Sequence, residues 1–281
     1  MSRIVYVNGA YVPEEEATVS IFDRGFVFAD AVYEVTAVLD GKLLEFEGHM
    51  ARLERSLGEL QMKAPCTREE LLAIHRELIK RNDMEQGGIY LQITRGAADR
   101  DFMFPKNATP TLVMFPQKKD LLAPRAPQSV ISHPDIRWGR RDIKTVQLLA
   151  PSLAKMAAKA AGKDDAWLVE DGFVTEGSSC NAYIVTKDGK IVTRNLSNAI
   201  LHGITRKAVI ALAAERGLEV VERAFTIEEA QQAAEAFITA ATAFVCPVVE
   251  IDGVAVGSGK PGPVAARLFD LYIEEARTRA I

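Results

Sequence analysis

The sequence predicts a two-domain chain that mixes helices and strands, α+β in its first part and α/β in its second. Three observations predict it. The chain has 281 residues, more than one hydrophobic core ordinarily organises. Its first part sets short strand patterns around two helical ones, and its second part mixes the two again. Between them, residues 117–128 hold Lys118, Lys119, Pro124 and Pro127 between apolar strands, as a linker would. The expected organisation is a small α+β domain over 1–117, a linker over 118–126 and a larger domain over 127–281.

The first domain opens with strands at 5–7 and 11–12 around an Asn8-Gly9 turn. A second hairpin follows, 31–39 and 42–46 around Asp40-Gly41. Helical spacing then covers 49–60 and 67–82, the latter opened by a capping-box pattern, Thr67-Arg68-Glu69-Glu70. Strands at 88–95 and 111–116 complete the unit. The second domain starts with a strand at 129–132 and a helix at 152–161. A meander over 166–170, 173–175 and 181–186 turns at Asp171-Gly172, and Asp188-Gly189 marks the next turn. A helix over 205–216 stops at Gly217, strands follow at 220–223 and 236–238, and a helix over 263–278 ends the chain.

Composition narrows the function. Hydrophobic residues make up 48% and charged residues 26%, with a net charge of −4 and no long run of Lys or Arg. Nucleic acid and anionic membrane surfaces are therefore not the expected partners. The first residues lack the sections of a signal peptide, and no apolar stretch has membrane-spanning length. Cys66, Cys180 and Cys246 are odd in number and far apart, which suits reduced thiols in a cytoplasmic protein. The four histidines show no ligand spacing, so no metal is expected.

Three segments carry candidate chemistry. Asp142-Ile143-Lys144-Thr145 places a lysine beside an isoleucine ahead of an alanine-rich helix. Thr175-Glu176-Gly177-Ser178-Ser179-Cys180-Asn181 ends a strand with a carboxylate and a small-residue turn, where a ligand can approach the backbone. Leu201-His202-Gly203-Ile204-Thr205-Arg206 is a Gly-containing turn that opens a helix, a natural phosphate site. Each has an ordinary reading too: a solvated lysine, a hairpin glutamate, a Thr-capped helix. Together they are what pyridoxal-phosphate (PLP) catalysis asks of a protein: a reactive amine, an acidic partner for the ring nitrogen and a phosphate cup.

The whole chain resembles the fold-type-IV PLP-dependent aminotransferases, and among them the bacterial D-amino-acid aminotransferases. The matching stretches include Asp23-Arg24-Gly25, Asp30-Ala31-Val32-Tyr33-Glu34-Val35, His49-Met50-Ala51-Arg52-Leu53, Thr94-Arg95-Gly96 and Asp135-Ile136-Arg137-Trp138. The lysine, glutamate and helix-start segments follow in the family's order, and Pro247-Val248-Val249-Glu250-Ile251-Asp252-Gly253 comes last. The resemblance implies a small α+β domain, a larger one with a barrel-like sheet, and PLP in the cleft between them. It implies that Lys144 forms the Schiff base and that Glu176 partners the pyridine nitrogen. Arg52, Ile204 and Thr205 match the phosphate cup, Leu201 a residue packed on the ring, and Arg137 a residue near the phenolic oxygen. Thr242 is retained in a loop, Thr239-Ala240-Ala241-Thr242, that borders the phosphate in relatives.

On the substrate side, Tyr33 and Arg100 match residues that hold the substrate carboxylate, Arg100 reaching across a homodimer interface. Phe102 stands where the best-known pattern has a histidine, and an apolar ring cannot donate to a carboxylate. Arg24 is the alternative holder. The implied reaction moves an amino group between a D-amino acid and a 2-oxo acid such as 2-oxoglutarate. A branched-chain L-aminotransferase and an (R)-selective amine transaminase are the alternatives on this scaffold, and aminodeoxychorismate lyase is a further one. No catalytic role is expected of His49 or His202.

Overall fold

The computed structural model describes residues 2–123 and 126–281; Pro124 and Arg125 of the expected linker lie outside the described residues. The chain forms two compact units. The first holds Met1–Leu122, Ile143–Gln147 and Arg279–Ile281, and the second Ala123–Asp142 and Leu148–Thr278. Two segments beyond residue 127, the one around Lys144 and the last three residues, thus return to the first unit.

The first unit contains β1 (Ile4–Val7), β2 (Ala10–Pro13), α1 (Arg24–Phe28), β3 (Ala31–Leu39), β4 (Lys42–Leu43), α2 (Phe46–Glu59), α3 (Arg68–Arg81), β5 (Gly87–Thr94) and β6 (Thr111–Lys118). Its six strands form one antiparallel sheet in the order β2-β1-β6-β5-β3-β4. Ile89, Leu91 and Ile93 alternate along β5 and are fully buried, as the two-residue period requires. Phe46, Met50, Leu53 and Leu57 of α2 and Leu71, Ile74 and Leu78 of α3 recur at helical spacing and are buried. The expected capping box is present: Thr67 Oγ1 accepts from Glu70 N, and Thr67 N donates to the Glu70 carboxylate.

The second unit contains β7 (Gln128–Pro134), α4 (Leu149–Ala160), β8 (Asp165–Glu170), β9 (Phe173–Gly177), β10 (Asn181–Val185), β11 (Ile191–Thr193), α5 (Ile204–Glu215), β12 (Val220–Glu222), α6 (Ile227–Gln231), β13 (Glu235–Ala240), β14 (Phe244–Ile251), β15 (Val254–Ala255) and α7 (Pro263–Arg279). Eight strands follow one path, β12-β11-β10-β13-β14-β7-β8-β9, with β15 paired to β14. The β11–β12, β14–β7 and β7–β8 pairs are parallel and the others antiparallel. Trp167, Val174, Ile184, Phe225, Ile238 and Val248 form its main core. Ala154 and Ala158 bring α4 close to Ala166 and Leu168 of β8.

Hairpin chemistry places these strands. Asn8-Gly9, Asp40-Gly41, Asp171-Gly172 and Asp252-Gly253 each connect two strands through two residues of positive φ. That is the turn whose twist matches the flanking strands. The Asp171-Gly172 turn matters most, because it sends β9 back along β8 and delivers Glu176 to the far end of that hairpin.

Candidate active site

Lys144 is fixed by its main chain. Its carbonyl accepts from Tyr33 N at 3.0 Å and its amide donates to Ser56 Oγ at 3.4 Å. Thr145 bridges Val32 and Val146 N donates to the Ala31 carbonyl, so residues 144–146 ride on the start of β3. The side chain is half-buried, and Nζ lies 4.2 Å from the Tyr33 ring centroid. Tyr33 is backed by Tyr90 and Tyr90 by Phe115, at 5.5 Å and 4.7 Å between ring centroids. The structure thus brings two of the expected residues, Lys144 and Tyr33, into contact. A stacked aromatic column gives the amine a firm apolar wall.

One strand position further on, Glu34 is fully buried and grips Arg52. Arg52 Nε and Nη2 each donate to one carboxylate oxygen at 2.7 Å, and His49 Nδ1 lies 2.7 Å from Oε2. Burial alone would raise the Glu34 pKa. The Arg52 charge, its hydrogen bonds and those of His49 overcome it and hold the carboxyl at about 2. The His49 imidazole is pushed down, mainly by burial, with the Arg52 and Lys144 charges adding to the effect and Glu34 opposing it. Arg52 is therefore held with its guanidinium in a fixed orientation.

In the second unit, Glu176 is 3% exposed and receives three donors. These are Arg137 Nη1, Asn181 Nδ2 at 2.9 Å and the Leu201 amide at 3.1–3.2 Å. Burial raises the Glu176 pKa, against the Arg137 charge and the donated hydrogen bonds. Arg137 is also bidentate to Asp135, which in turn accepts from Thr175 Oγ1 at 2.7 Å. The expectation for Arg137 named the cofactor's phenolic oxygen; here its partners are two carboxylates.

Asn181 Nδ2 also donates to the Leu201 carbonyl at 3.0 Å, closing the turn before α5. Gly203 is the N-cap of α5 and supplies no side-chain cap. A Cβ at Gly203 would stand 2.0 Å from Asn181 Oδ1, so only glycine lets the turn pass this close. Ile204 is half-buried and Thr205 buried in the first turn. Thr242 is half-buried in the turn after β13, and His202 Nε2 faces the Ser197 carbonyl at 3.3 Å. An α5 start without a side-chain cap offers amide donors and a positive dipole end, which suits a phosphate.

Of the expected substrate residues, Tyr33 lies in β3, whereas Arg100 and Phe102 lie on an exposed loop of the first unit. Arg100 has no ion pair with Asp99 or Asp101 among the described residues; its guanidinium sits 5.6 Å and 5.7 Å from the Phe28 and Phe102 rings. Phe102 is 79% exposed. Arg24, the alternative holder, is engaged within its own unit. It is 3% exposed, and its donors go to Asp30 and to main-chain carbonyls of the same loop.

The family model for amino-transferase class IV matches residues 31–251. The chain belongs to the class IV aminotransferases. This aminotransferase is 40% identical to the D-alanine aminotransferase of Staphylococcus haemolyticus over 276 residues, which is 96% of this chain and 98% of that one. It is 41% identical to the D-alanine aminotransferase of Bacillus licheniformis over 262 residues, 92% of each. Among solved structures, the branched-chain aminotransferase of the thermophilic archaeon Thermoproteus uzoniensis, with norvaline, superposes with a TM-score of 0.89 at 26% identity. That match covers 99% of this aminotransferase and 96% of the solved chain.

Sequence reasoning about the aminotransferase misses Glu34, Asn181 and Asp135. Glu34 leaves a signal, a lone carboxylate inside an otherwise apolar strand that needs a partner once buried. Asn181 leaves none, because its role depends on how close Gly203 comes. Among the described residues, no cluster of His, Cys, Asp and Glu could hold a metal, and no helix is long and apolar enough to cross a membrane.

Proposed function

We propose that this aminotransferase uses PLP to move the amino group of a D-amino acid, with D-alanine the preferred donor, onto a 2-oxo acid such as 2-oxoglutarate. The observation that carries the substrate class is the 38–41% identity to D-alanine aminotransferases over nearly the whole chain. The residues present fit the cofactor. Glu176 is a buried carboxylate held in place by three donors, and the Gly203 turn opens a helix start that a Cβ would block.

PLP, when bound, supplies the carbon that carries the amino group and a ring that takes up an electron pair. Lys144 Nζ would hold the cofactor, and the same amine would move the proton at the donor's α-carbon. Its main-chain ties to β3 limit the arc through which the amine swings. Glu176 holds positive charge at the ring nitrogen, and Arg137 and the Leu201 amide keep that carboxylate aimed. Arg52, Ile204 and Thr205 hold the phosphate, with Thr242 beside it and Leu201 against the ring. Tyr33 and Arg100 hold the donor carboxylate, Arg100 from the second subunit of a homodimer. The exposed Phe102, Met103 and Phe104 favour such burial against another copy. This aminotransferase works in the cytoplasm on small metabolites.

A branched-chain L-amino-acid reading draws on the solved structure named above. A panel of D- and L-amino donors with 2-oxoglutarate decides between them: turnover of D-alanine and not L-valine supports the D-amino-acid reading, and the reverse refutes it. Lys144→Ala should bind PLP without a covalent link, so that borohydride no longer fixes the cofactor to the protein. Full activity in purified Lys144→Ala protein would remove Lys144 from the chemistry.

A further inference from the structure

The loop that carries Arg100 exposes three consecutive large side chains yet is held from beneath by buried charge. Phe102, Met103 and Phe104 are 79%, 76% and 54% exposed. Below them, Arg24 Nε donates to Asp30 Oδ2 at 2.8 Å. Its Nη1 donates to the Asp101 carbonyl at 2.6 Å and reaches the Met103 carbonyl at 3.5 Å. Arg95 approaches the same carboxylate, Nε to Oδ2 at 2.7 Å and Nη2 to Oδ1 at 3.0 Å, and also donates to the Leu60 and Gln61 carbonyls. The Phe104 ring lies 3.6 Å from the Arg95 guanidinium and 5.7 Å from that of Arg24.

Two buried cations thus share one carboxylate, and main-chain carbonyls take up the excess positive charge. Two of those carbonyls belong to the loop itself. The stem is pinned as well: Arg24 N donates to the Gly96 carbonyl at 2.9 Å, and a Cβ at Gly96 would stand 1.9 Å from the Thr109 carbonyl. A planar guanidinium fixes direction as well as distance, so Asp101 and Met103 are set on both sides of Phe102. Phe28 extends the same order upward: Arg24 lies 4.5 Å from its ring, and Phe102 and Arg100 5.6 Å from it.

We propose that Arg24 and Arg95, bridged by Asp30, are positioning residues that set where Arg100 presents its guanidinium to the substrate carboxylate. This rests on the reading of Arg100 given above. The clamp touches main chain and rings only, so its influence on the reaction passes through the loop.

The test is steady-state kinetics of the holoenzyme with D-alanine and 2-oxoglutarate, in Arg24→Gln, Phe104→Ala, Arg100→Ala and the Arg24→Gln/Arg100→Ala double variant. Arg24→Gln should raise the KM for D-alanine about tenfold while kcat stays within about threefold, because the lost interaction is one of binding. Phe104→Ala leaves no buried charge unpaired, is the second variant should Arg24→Gln not fold, and should raise KM in the same direction. The double variant should show a KM no higher than Arg100→Ala alone, since two changes acting through one contact are not additive. Unchanged KM in both Arg24→Gln and Phe104→Ala overturns the proposal. So does a KM in the double variant that multiplies the two single effects. An unchanged KM in Arg100→Ala instead overturns the carboxylate assignment, and the clamp's role with it.

Discussion

Replacing Glu176 with Gln should separate function from stability. The substitution keeps shape and removes charge. The carboxylate now accepts from Arg137, Asn181 and the Leu201 amide, whereas an amide has one acceptor oxygen and turns an NH2 toward a donor. Arg137 is not orphaned, because Asp135 still holds it through two hydrogen bonds. One charge-assisted hydrogen bond is therefore at stake, about 1.5–3 kcal/mol, or roughly ten- to a hundredfold in the half-reaction rate if Glu176 holds charge at the ring nitrogen. Stability behaves differently. Burial raises the Glu176 pKa in the folded chain, so at neutral pH the fold disfavours its ionised form relative to the unfolded chain. Removing the charge relieves that penalty and offsets part of the lost hydrogen bonding. The net change should stay near 1 kcal/mol, a shift in Tm of about 2–4 °C. Thermal unfolding and single-turnover rates on the same cofactor-loaded preparation read both. A variant with wild-type rates and a large fall in Tm would make Glu176 a structural residue and refute the reasoning.

Further expectations follow from single contacts. Gly203→Ala places a Cβ 2.0 Å from Asn181 Oδ1, so it should cost about 1–3 kcal/mol by overpacking and loosen cofactor retention on dialysis; wild-type retention would show that the turn does not matter to the phosphate. Burial holds His75 at about 4 against an ordinary 6.5, although its Nδ1 meets the Leu71 carbonyl, so the unfolded chain takes up a proton first as pH falls. Stability should decline across that window, and His75→Gln should flatten the decline in urea titrations; an equal slope in both proteins would contradict it. Phe102→His restores a donor and should lower the KM for D-alanine by about 0.5–1.5 kcal/mol, roughly two- to tenfold, while slowing any turnover of an (R)-arylalkylamine. Unchanged KM and amine turnover would exclude Phe102 from the substrate site.

The legible parts of this molecule are those with short-range causes. Asn8-Gly9, Asp40-Gly41 and Asp171-Gly172 mark hairpins because two adjacent residues must take positive φ, and Thr67 with Glu70 marks a helix start through two reciprocal hydrogen bonds. β14 is the counterexample. Sequence reading places no strand over residues 244–251, and a central strand there must accommodate Pro247, which lacks an N–H. The strand tolerates it because pairing with β7 begins only at Val248. The short elements α1, α6, β11 and β15 are likewise unread; each depends on packing more than on pattern. At the candidate site, Lys144 and Glu176 stand out as residue types in the right kind of turn, and the resemblance orders them. Arg24 shows the limit. An arginine in a promising motif looks available to substrate until Asp30 and the Asp101 carbonyl are seen to occupy it.

The segment Ile143–Gln147 is flanked on both sides by residues of the second unit, yet belongs to the first. During synthesis, β3 emerges more than a hundred residues before the segment that bonds to its opening residues. A nascent chain that ends at residue 122 contains the residues of the six strands, of the aromatic column and of the Glu34–Arg52 pair, but no lysine at position 144. Position 144 follows only after Ala123–Asp142, the opening stretch of the second unit, has been added. A gene split between residues 122 and 143 would deliver Lys144 on the half that lacks the strand it bonds to.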